Sequence, residues 1–452
     1  MLKKLLLGSI FLSCLGISAQ AQTKYGWYTE GTDYAPSQRI RITVTNPLNI
    51  ACEKCPVVIR RSQLPVQNVP ERWINIVDPK LPGNKEPSLA ELKAMSGYVR
   101  RKETNGHFVE LQVDDINKDG VWDEIFFMTD LKPRENREFY IYVDHYERGM
   151  TAHRVHAAIG NYGRHTVPLW ESEHMGWKLW YPHSVDLHGK RDPMLTAYYE
   201  YSTNKSGYYM PWELGTDIMT VAETFGSGSM CVFENPANPE KPARAYHNSP
   251  ALDKGPFSES RFAYDVVYNG PLRSMIKVKT MNWNSGKGFY ELEQNYIAYA
   301  DKSWSIVEVK FNEFLPPGSD AMFGAGIRRI MEEYKSINKK GYAISMGRNI
   351  EARIPDEDIG DEVLVVPWQG IGIVVKDAFK PEYHNINGFG GNHVFKIPVT
   401  ADHFFEYMIV GAWSFGKVNN NENEFVNYVD TEALKYNNPP RVEIKEYEIK
   451  SQ

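Results

Sequence analysis

The sequence predicts an all-β protein, a small N-terminal β-sandwich followed by a large β-domain, and three observations lead there. Apolar residues alternate with polar ones in one short run after another, the pattern of strands with one buried face. Glycine and proline are plentiful, 34 and 27 among 452 residues, and they punctuate those runs as turns. Helical signals are confined to two short stretches.

In the first domain, Ile40, Ile42 and Val44 alternate with Arg39, Arg41 and Thr43, and Asn46-Pro47 ends the strand. Pro56-Val57-Val58-Ile59 begins another. Ser88-Leu89-Ala90-Glu91 has the form of a capping box ahead of Leu92 and Met95, so a short helix is expected there. Strands resume at 108–113, 124–128 and 138–144, giving a sandwich over residues 22–148. Residues 153–168 read as a linker. The second domain, 155–450, follows as a long series of strand patterns, including 276–279, 290–298, 304–311, 363–366, 370–375, 404–410 and 442–449. Residues 422–435 carry the second helical signal.

Lys3 and Lys4 precede an apolar run from Leu5 to Ile17, and Ser18-Ala19-Gln20-Ala21 completes a signal-peptide pattern over residues 1–21. A secreted or periplasmic protein is therefore expected, with no membrane span. Cleavage would remove two lysines and move the formal charge from −6 to −8. An acidic chain with no basic stripe is not expected to bind nucleic acid. Cys52 and Cys55 form a C-x-x-C pair without the βαβ setting of a redox centre or the second pair of a zinc site. A local disulfide is expected, with Cys231 as a buried strand thiol.

Asp115, Asn117, Asp119 and Asp123 surround Gly120 at the spacing of the first part of a calcium loop. Position twelve is Phe126, which excludes an EF-hand. A structural calcium and a hairpin of Asx turns are the two readings. No other cofactor is called for.

Residues 170–217 concentrate the chemistry. Trp170, Glu171, Glu173 and His174 open the stretch, Asp186, His188, Lys190 and Arg191 follow, and Tyr208, Tyr209, Trp212, Glu213 and Asp217 close it. Read as loops without strand or helix period, they combine rings that stack on sugar faces with acids and bases that satisfy hydroxyls and carboxylates. The plain alternative is polar loops around buried tryptophans. No G-x-S-x-G elbow, P-loop, H-E-x-x-H or dinucleotide fingerprint is present. Histidines are the natural acid–base groups near neutral pH; besides His174 and His188, His183 and His247 are candidates. A metal held by His183, Asp186 and His188 is a further reading, though their spacing is not diagnostic. Arg328 and Arg329 would face opposite ways on a strand, leaving one to grip a carboxylate.

The runs Trp170–Glu173, Val185–Arg191 and Leu214–Ile218, with Gly226-Ser227-Gly228, resemble the family of domain-of-unknown-function DUF4861. Asp114–Gly120 and Asp123–Phe127 resemble its N-terminal part. The resemblance implies an exported protein of polysaccharide-degrading bacteria, often Bacteroidetes, with a galactose-mutarotase-like β-supersandwich, acting beside the breakdown of uronic-acid-rich glycans. A histidine found in a D-H-G-E-G-like run of many members is missing from the matching Pro211–Gly215.

The leading expectation is β-elimination from a uronic-acid-containing oligosaccharide, by a lyase or dehydratase. Elimination needs a cation on the uronate carboxylate and a base at the neighbouring carbon. Arg328 or Arg191 would supply the first, and His174, His188 or Tyr209 the second. Trp170, Glu171, Trp212, Glu213, Asp217 and His247 would hold the sugar. A glycoside hydrolase using paired carboxylates and a glycan-binding protein without turnover are the alternatives.

Overall fold

The computed structural model describes residues 25–28, 34–81, 106–145, 151–162, 165–180, 184–197, 199, 214–245, 260–352 and 363–450. The predicted signal peptide and the capping box at Ser88 lie outside them. Among the described residues every paired strand is antiparallel, as the alternating patterns require. Among the described residues the one long helix is Glu422–Asn437, which begins where the Asn421 side chain accepts from Glu424 N.

The N-terminal sandwich packs a five-stranded sheet on a three-stranded one. The larger sheet runs, in spatial order, Arg441–Ile449, Gln38–Thr45, Asn136–Val143, Ile74–Asp78 and His107–Val109. The smaller contains Cys52–Arg60, Glu124–Leu131 and Leu111–Asp114. Ile40, Ile76 and Ile141 meet Val57, Ile125 and Phe127 in its core. The polar face of Gln38–Thr45 is also covered. Arg39 is buried, paired with Glu448 and stacked 4.0 Å above the Tyr140 ring. Strand 441–449, counted with the second domain from sequence, returns to complete this sheet, so the first domain is discontinuous. The Cys52–Cys55 disulfide is formed, and Cys231 is a buried strand thiol.

The second domain is a large sandwich. One layer is an eight-stranded sheet of Arg261–Asn269, Arg273–Asn284, Phe289–Tyr299, Trp304–Leu315, Phe404–Trp413, Val363–Val375, Tyr342–Ala352 and Glu332–Lys339. The other layer comprises two sheets. One is five-stranded, Gly215–Asp217, Val185–Lys190, Met175–Leu179, His165–Ser172 and Val155–Tyr162; the second is four-stranded, Ser229–Phe233, Met322–Arg328, Asn392–Ile397 and Glu382–Ile386. Trp177, Leu187, Phe323 and Phe395 meet Tyr296, Val307, Ile373 and Tyr407 between the layers. The helix lays Phe425, Val429 and Ala433 on the outer face of the eight-stranded sheet. The predicted linker 153–168 is instead part of the first hairpin of this domain, whose strands cover the core through Val155, Ala157 and Trp170.

The two domains are locked together around Arg273. Its guanidinium pairs with Asp114 and Glu124, while Gln112 Oε1 accepts from Leu272 N and Arg273 N at 2.9 and 3.0 Å. Among the described residues no helix is long and apolar enough to cross a membrane.

Candidate functional site

The stretch that reads as aperiodic loops proves to be strands, and its alternation builds the site. In Met175–Leu179, Met175, Trp177 and Leu179 enter the core, which turns Gly176 and Lys178 the other way. In Val185–Lys190, Val185 and Leu187 enter the core, and Asp186, His188 and Lys190 turn outward. Pairing aligns Lys178 with Asp186, Gly176 with His188, and His188 with Asp217. A row of charged and titratable side chains thus crosses the outer face of the five-stranded sheet. Each is nevertheless buried, with Lys178 at 3 %, Asp186 and Asp217 at 1 % and His188 at 0 % exposure.

Charges taken out of water must be paired. Lys178 Nζ lies 3.3 Å from Asp186 Oδ2 and 3.3 Å from Asp217 Oδ2. Backbone donors fix both acids, Leu187 N on Asp186 Oδ1 at 2.9 Å and Met219 N on Asp217 Oδ1 at 3.0 Å. His188 Nε2 stands 4.0 Å from Asp217 Oδ2. Burial, reinforced by the Lys178 ammonium and opposed by Asp217, depresses the imidazole to about 3 and keeps it neutral. Donor atoms of Asp186, His188 and Asp217 all fall within 4.8 Å of one another, close enough to share a cation. The Lys178 ammonium contacts the two carboxylates of that group.

Beside this group, Lys190 Nζ bonds the Glu171 carboxylate, Ser172 O at 2.5 Å and Met194 O at 2.8 Å. Glu171 also accepts from Thr196 N at 2.8 Å and Ala197 N at 2.9 Å. Burial works to raise its pKa, but Lys190 and these donors hold it down to about 2. Glu171 is therefore a fully engaged carboxylate that anchors residues 194–197 to the sheet rather than a free sugar contact.

Other predicted residues fall elsewhere. Trp170 is fully enclosed in the core, bonded to Ser305 Oγ at 2.9 Å and 4.6 Å from the Tyr296 ring, so neither face is open to a sugar. Arg191 stacks over Phe415 at 4.8 Å. Arg328 ends a strand of the four-stranded sheet, its Nε donating to Arg329 O at 3.0 Å. Arg329 turns away to Asn387 Oδ1 at 2.8 Å. His174 sits on the hairpin turn after Ser172 and lines an open cleft of about 720 Å³; burial lowers its pKa. Glu173, His174 and Asp301 also have donor atoms within 4.8 Å of one another. Asp301 already pairs with Arg154, and Glu173 accepts from Asp301 N. His183, Tyr209, Trp212, Glu213 and His247 lie outside the described residues.

In the loop at Asp115, the side-chain oxygens are taken up by its own backbone. Asp115 accepts from Asp119 N and Gly120 N, Asn117 from Asp119 N, Asp119 from Val121 N, and Asp123 from Ile116 N. These are the bonds of an Asx-turn hairpin, and since each oxygen keeps a second lone pair they fit the calcium reading equally.

Sequence reading missed Lys178. Its signal was the alternation in Gly176-Trp177-Lys178-Leu179, which sets a lysine on the face that the next strand fills with Asp186 and His188.

A family model described as a domain of unknown function (DUF4861) matches residues 44–442. No curated protein matches the chain. Among solved structures, an alpha-mannosidase from Enterococcus faecalis V583 is similar at 9 % identity over 91 % of this chain and 46 % of its own, with a TM-score of 0.45. A protein in glycosyl hydrolase family 38 from Enterococcus faecalis is similar at 8 % identity over 92 % of this chain and 48 % of its own, with a TM-score of 0.46. The chain spans about half the length of these two structures.

Proposed function

The chain belongs to the DUF4861 family, and on that footing we propose that it is a carbohydrate-active enzyme performing β-elimination on a uronic-acid-containing oligosaccharide. The observation that carries this reading is the neutral His188 imidazole held beside the Lys178 ammonium on one buried sheet face. Elimination removes the proton on the carbon next to the uronate carboxylate, forms a double bond to the following carbon and expels the oxygen substituent there, which leaves with the proton that the base took up. His188 is the base. Lys178 is the cation that meets the carboxylate as it takes on enediolate character. A carboxylate arriving beside the imidazole raises its proton affinity, which brings the base nearer its working range when substrate is present. Asp186 and Asp217 hold Lys178 in place and accept from sugar hydroxyls.

Glycoside hydrolysis is the second reading, favoured by two features. Asp186 and Asp217 have oxygens within 4.8 Å of each other, near the roughly 5 Å of retaining enzymes. With Lys178 they also leave one negative charge in excess, which suits a cationic transition state. Hydrolysis, however, needs one of the acids to face the glycosidic oxygen, and the Lys178 ammonium at 3.3 Å occupies an oxygen of each.

Ultraviolet absorbance during incubation with uronic-acid oligosaccharides, with reducing ends assayed in parallel, separates the two. The expected result is a rising signal from a conjugated unsaturated uronate that His188→Gln abolishes. New reducing ends with a flat trace would replace elimination by hydrolysis.

A further inference from the structure

Two turns from opposite layers of the second domain meet beside the open cleft. One is the hairpin turn after strand His165–Ser172, and it carries Glu173 and His174. The other joins strands Phe289–Tyr299 and Trp304–Leu315 and carries Asp301. The buried Ser172 hydroxyl fastens the turns together: it donates to Lys302 O at 2.6 Å and accepts from His174 N at 3.1 Å and Met175 N at 3.3 Å. Asp301 N donates to Glu173 Oε2 at 3.0 Å, and Glu173 N donates to Arg154 O at 3.1 Å. Backbone bonds thus fix the roots of all three side chains.

Glu173 is only 9 % exposed, and among the described residues no cationic side chain comes within ion-pairing distance of it. A charge withdrawn from water needs a counter-ion or a metal. The two cations that reach these turns are engaged elsewhere. Arg154 donates to Asp301 Oδ2 at 2.8 Å and to Glu110 Oε2 at 3.0 Å, and Lys302 Nζ lies 3.2 Å from Glu53 O and 3.6 Å from Glu432 Oε2. Donor atoms surround the Glu173 carboxylate instead, since those of Glu173, His174 and Asp301 all lie within 4.8 Å of one another. The bonds from Arg154 and Asp301 N orient the two carboxylates and leave their other oxygens with lone pairs to give. An imidazole with two carboxylates is a ligand set for zinc and its neighbours among the transition metals. Bonds of about 2.1 Å place such donors roughly 3.4 Å apart around a tetrahedral ion. The three side-chain ends close on an ion by drawing in about an ångström, and His174, half-buried on its turn, is the one placed to move.

We propose that Glu173, His174 and Asp301 bind a divalent transition-metal ion, zinc first among them, at the wall of the cleft. The ion supplies the positive partner that the buried Glu173 carboxylate lacks. His174 and Asp301 both line the cleft, so the coordination position that three protein ligands leave free opens toward it, the arrangement in which zinc keeps a water or an incoming ligand. An oxygen donor, water or a sugar hydroxyl, is the ligand that position takes. The metal site shares no residue with the group around Lys178 and His188, and it does not depend on the elimination reading.

The test is zinc titration of the chelator-stripped protein in competition with a chromophoric chelator, followed by cobalt(II) substitution read in the visible spectrum. One equivalent of zinc per chain is expected. His174→Ala and Glu173→Gln should each weaken zinc by at least about tenfold, since even a residue that only orients a ligand contributes that much, and His174→Ala should alter the cobalt band. Asp119→Asn, in the Asx-turn hairpin, and His188→Gln, on the sheet face, should leave zinc in place, which separates this site from the other two groups of donors. Melting temperatures taken in chelator establish that each variant is folded. Zinc should raise that of the wild type and not that of His174→Ala. Absence of stoichiometric zinc, unchanged affinity in both His174→Ala and Glu173→Gln, or loss of zinc in Asp119→Asn or His188→Gln instead would each overturn the proposal. Every readout is metal binding, so the outcome is independent of whether the protein performs elimination.

Discussion

Lys178 Nζ lies 3.3 Å from Asp217 Oδ2, with both side chains withdrawn from water, and the same nitrogen is 3.3 Å from Asp186 Oδ2. One cation thus serves two carboxylates whose oxygens come within 4.8 Å of each other. Removing it would leave two like charges in a desolvated site. Lys178→Met is expected to cost about 3–5 kcal/mol, the usual penalty for breaking a buried ion pair from one side. Denaturant unfolding measures this, and adding Asp186→Asn to Lys178→Met should recover part of the loss. A midpoint unchanged in the single variant would show that the acids are compensated elsewhere.

Glu171 makes a separate prediction about acid. Its carboxyl is held at about 2, below the ordinary 4.5, so its contribution is fully present above 4.5 and is lost as pH falls toward 2. A shift of that size corresponds to roughly 3 kcal/mol. The stability gap between the wild type and Glu171→Gln should therefore be widest above pH 5 and narrow steadily below it. A gap that is constant with pH would mean that shape alone, not charge, makes the anchor.

His188 titrates by the same sign rule over a higher window. Its folded value of about 3 lies below the ordinary 6.5, so the wild type should lose stability between pH 6.5 and 3 as the unfolded chain takes up a proton that the native imidazole refuses. His188→Gln lacks this term, and its unfolding free energy should fall less over that window. Parallel pH curves for the two proteins would show that the imidazole is not held neutral in the native state.

How much of this was legible beforehand follows from the kind of signal each part carries. The all-β class was legible because alternation such as Ile40, Ile42 and Val44 depends only on neighbouring residues. The return of strand 441–449 to the first sheet was not, because its alternating pattern fits the edge of either domain. Trp170 reads as a sugar platform from the sequence because composition cannot distinguish an aromatic facing a cleft from one facing the core. Pairing makes the distinction, since Trp170 lies opposite the core residue Trp177. His188 and Asp217 stand out by chemistry alone and Asp186 by its place beside His188, whereas Lys178 joins them only through the register that sets it opposite Asp186. Arg328, named with them, sits on a different sheet.

Two glycines of the five-stranded sheet separate packing from function. A Cβ on Gly189 would lie 2.5 Å from Cε2 of the Trp413 indole, on the core side. Gly189→Ala therefore overpacks the core and should cost about 1–3 kcal/mol. A Cβ on Gly176 would lie 3.2 Å from His188 Cβ, on the outer face, with Glu171 Cβ next at 3.9 Å. The crowding there is slight, and alanine loses less backbone freedom than glycine on folding, so the stability of Gly176→Ala should stay within about 1 kcal/mol of wild type. The imidazole, however, must move by a few tenths of an ångström, and under the elimination proposed above this takes the base out of line with the proton it would remove. A fall in turnover of about tenfold or more is expected, with KM little changed. Thermal unfolding and steady-state kinetics on both variants decide the matter: Gly189→Ala should lower the melting temperature, and Gly176→Ala should lower kcat at a nearly unchanged melting temperature. If Gly176→Ala keeps full activity, His188 does not act as the base.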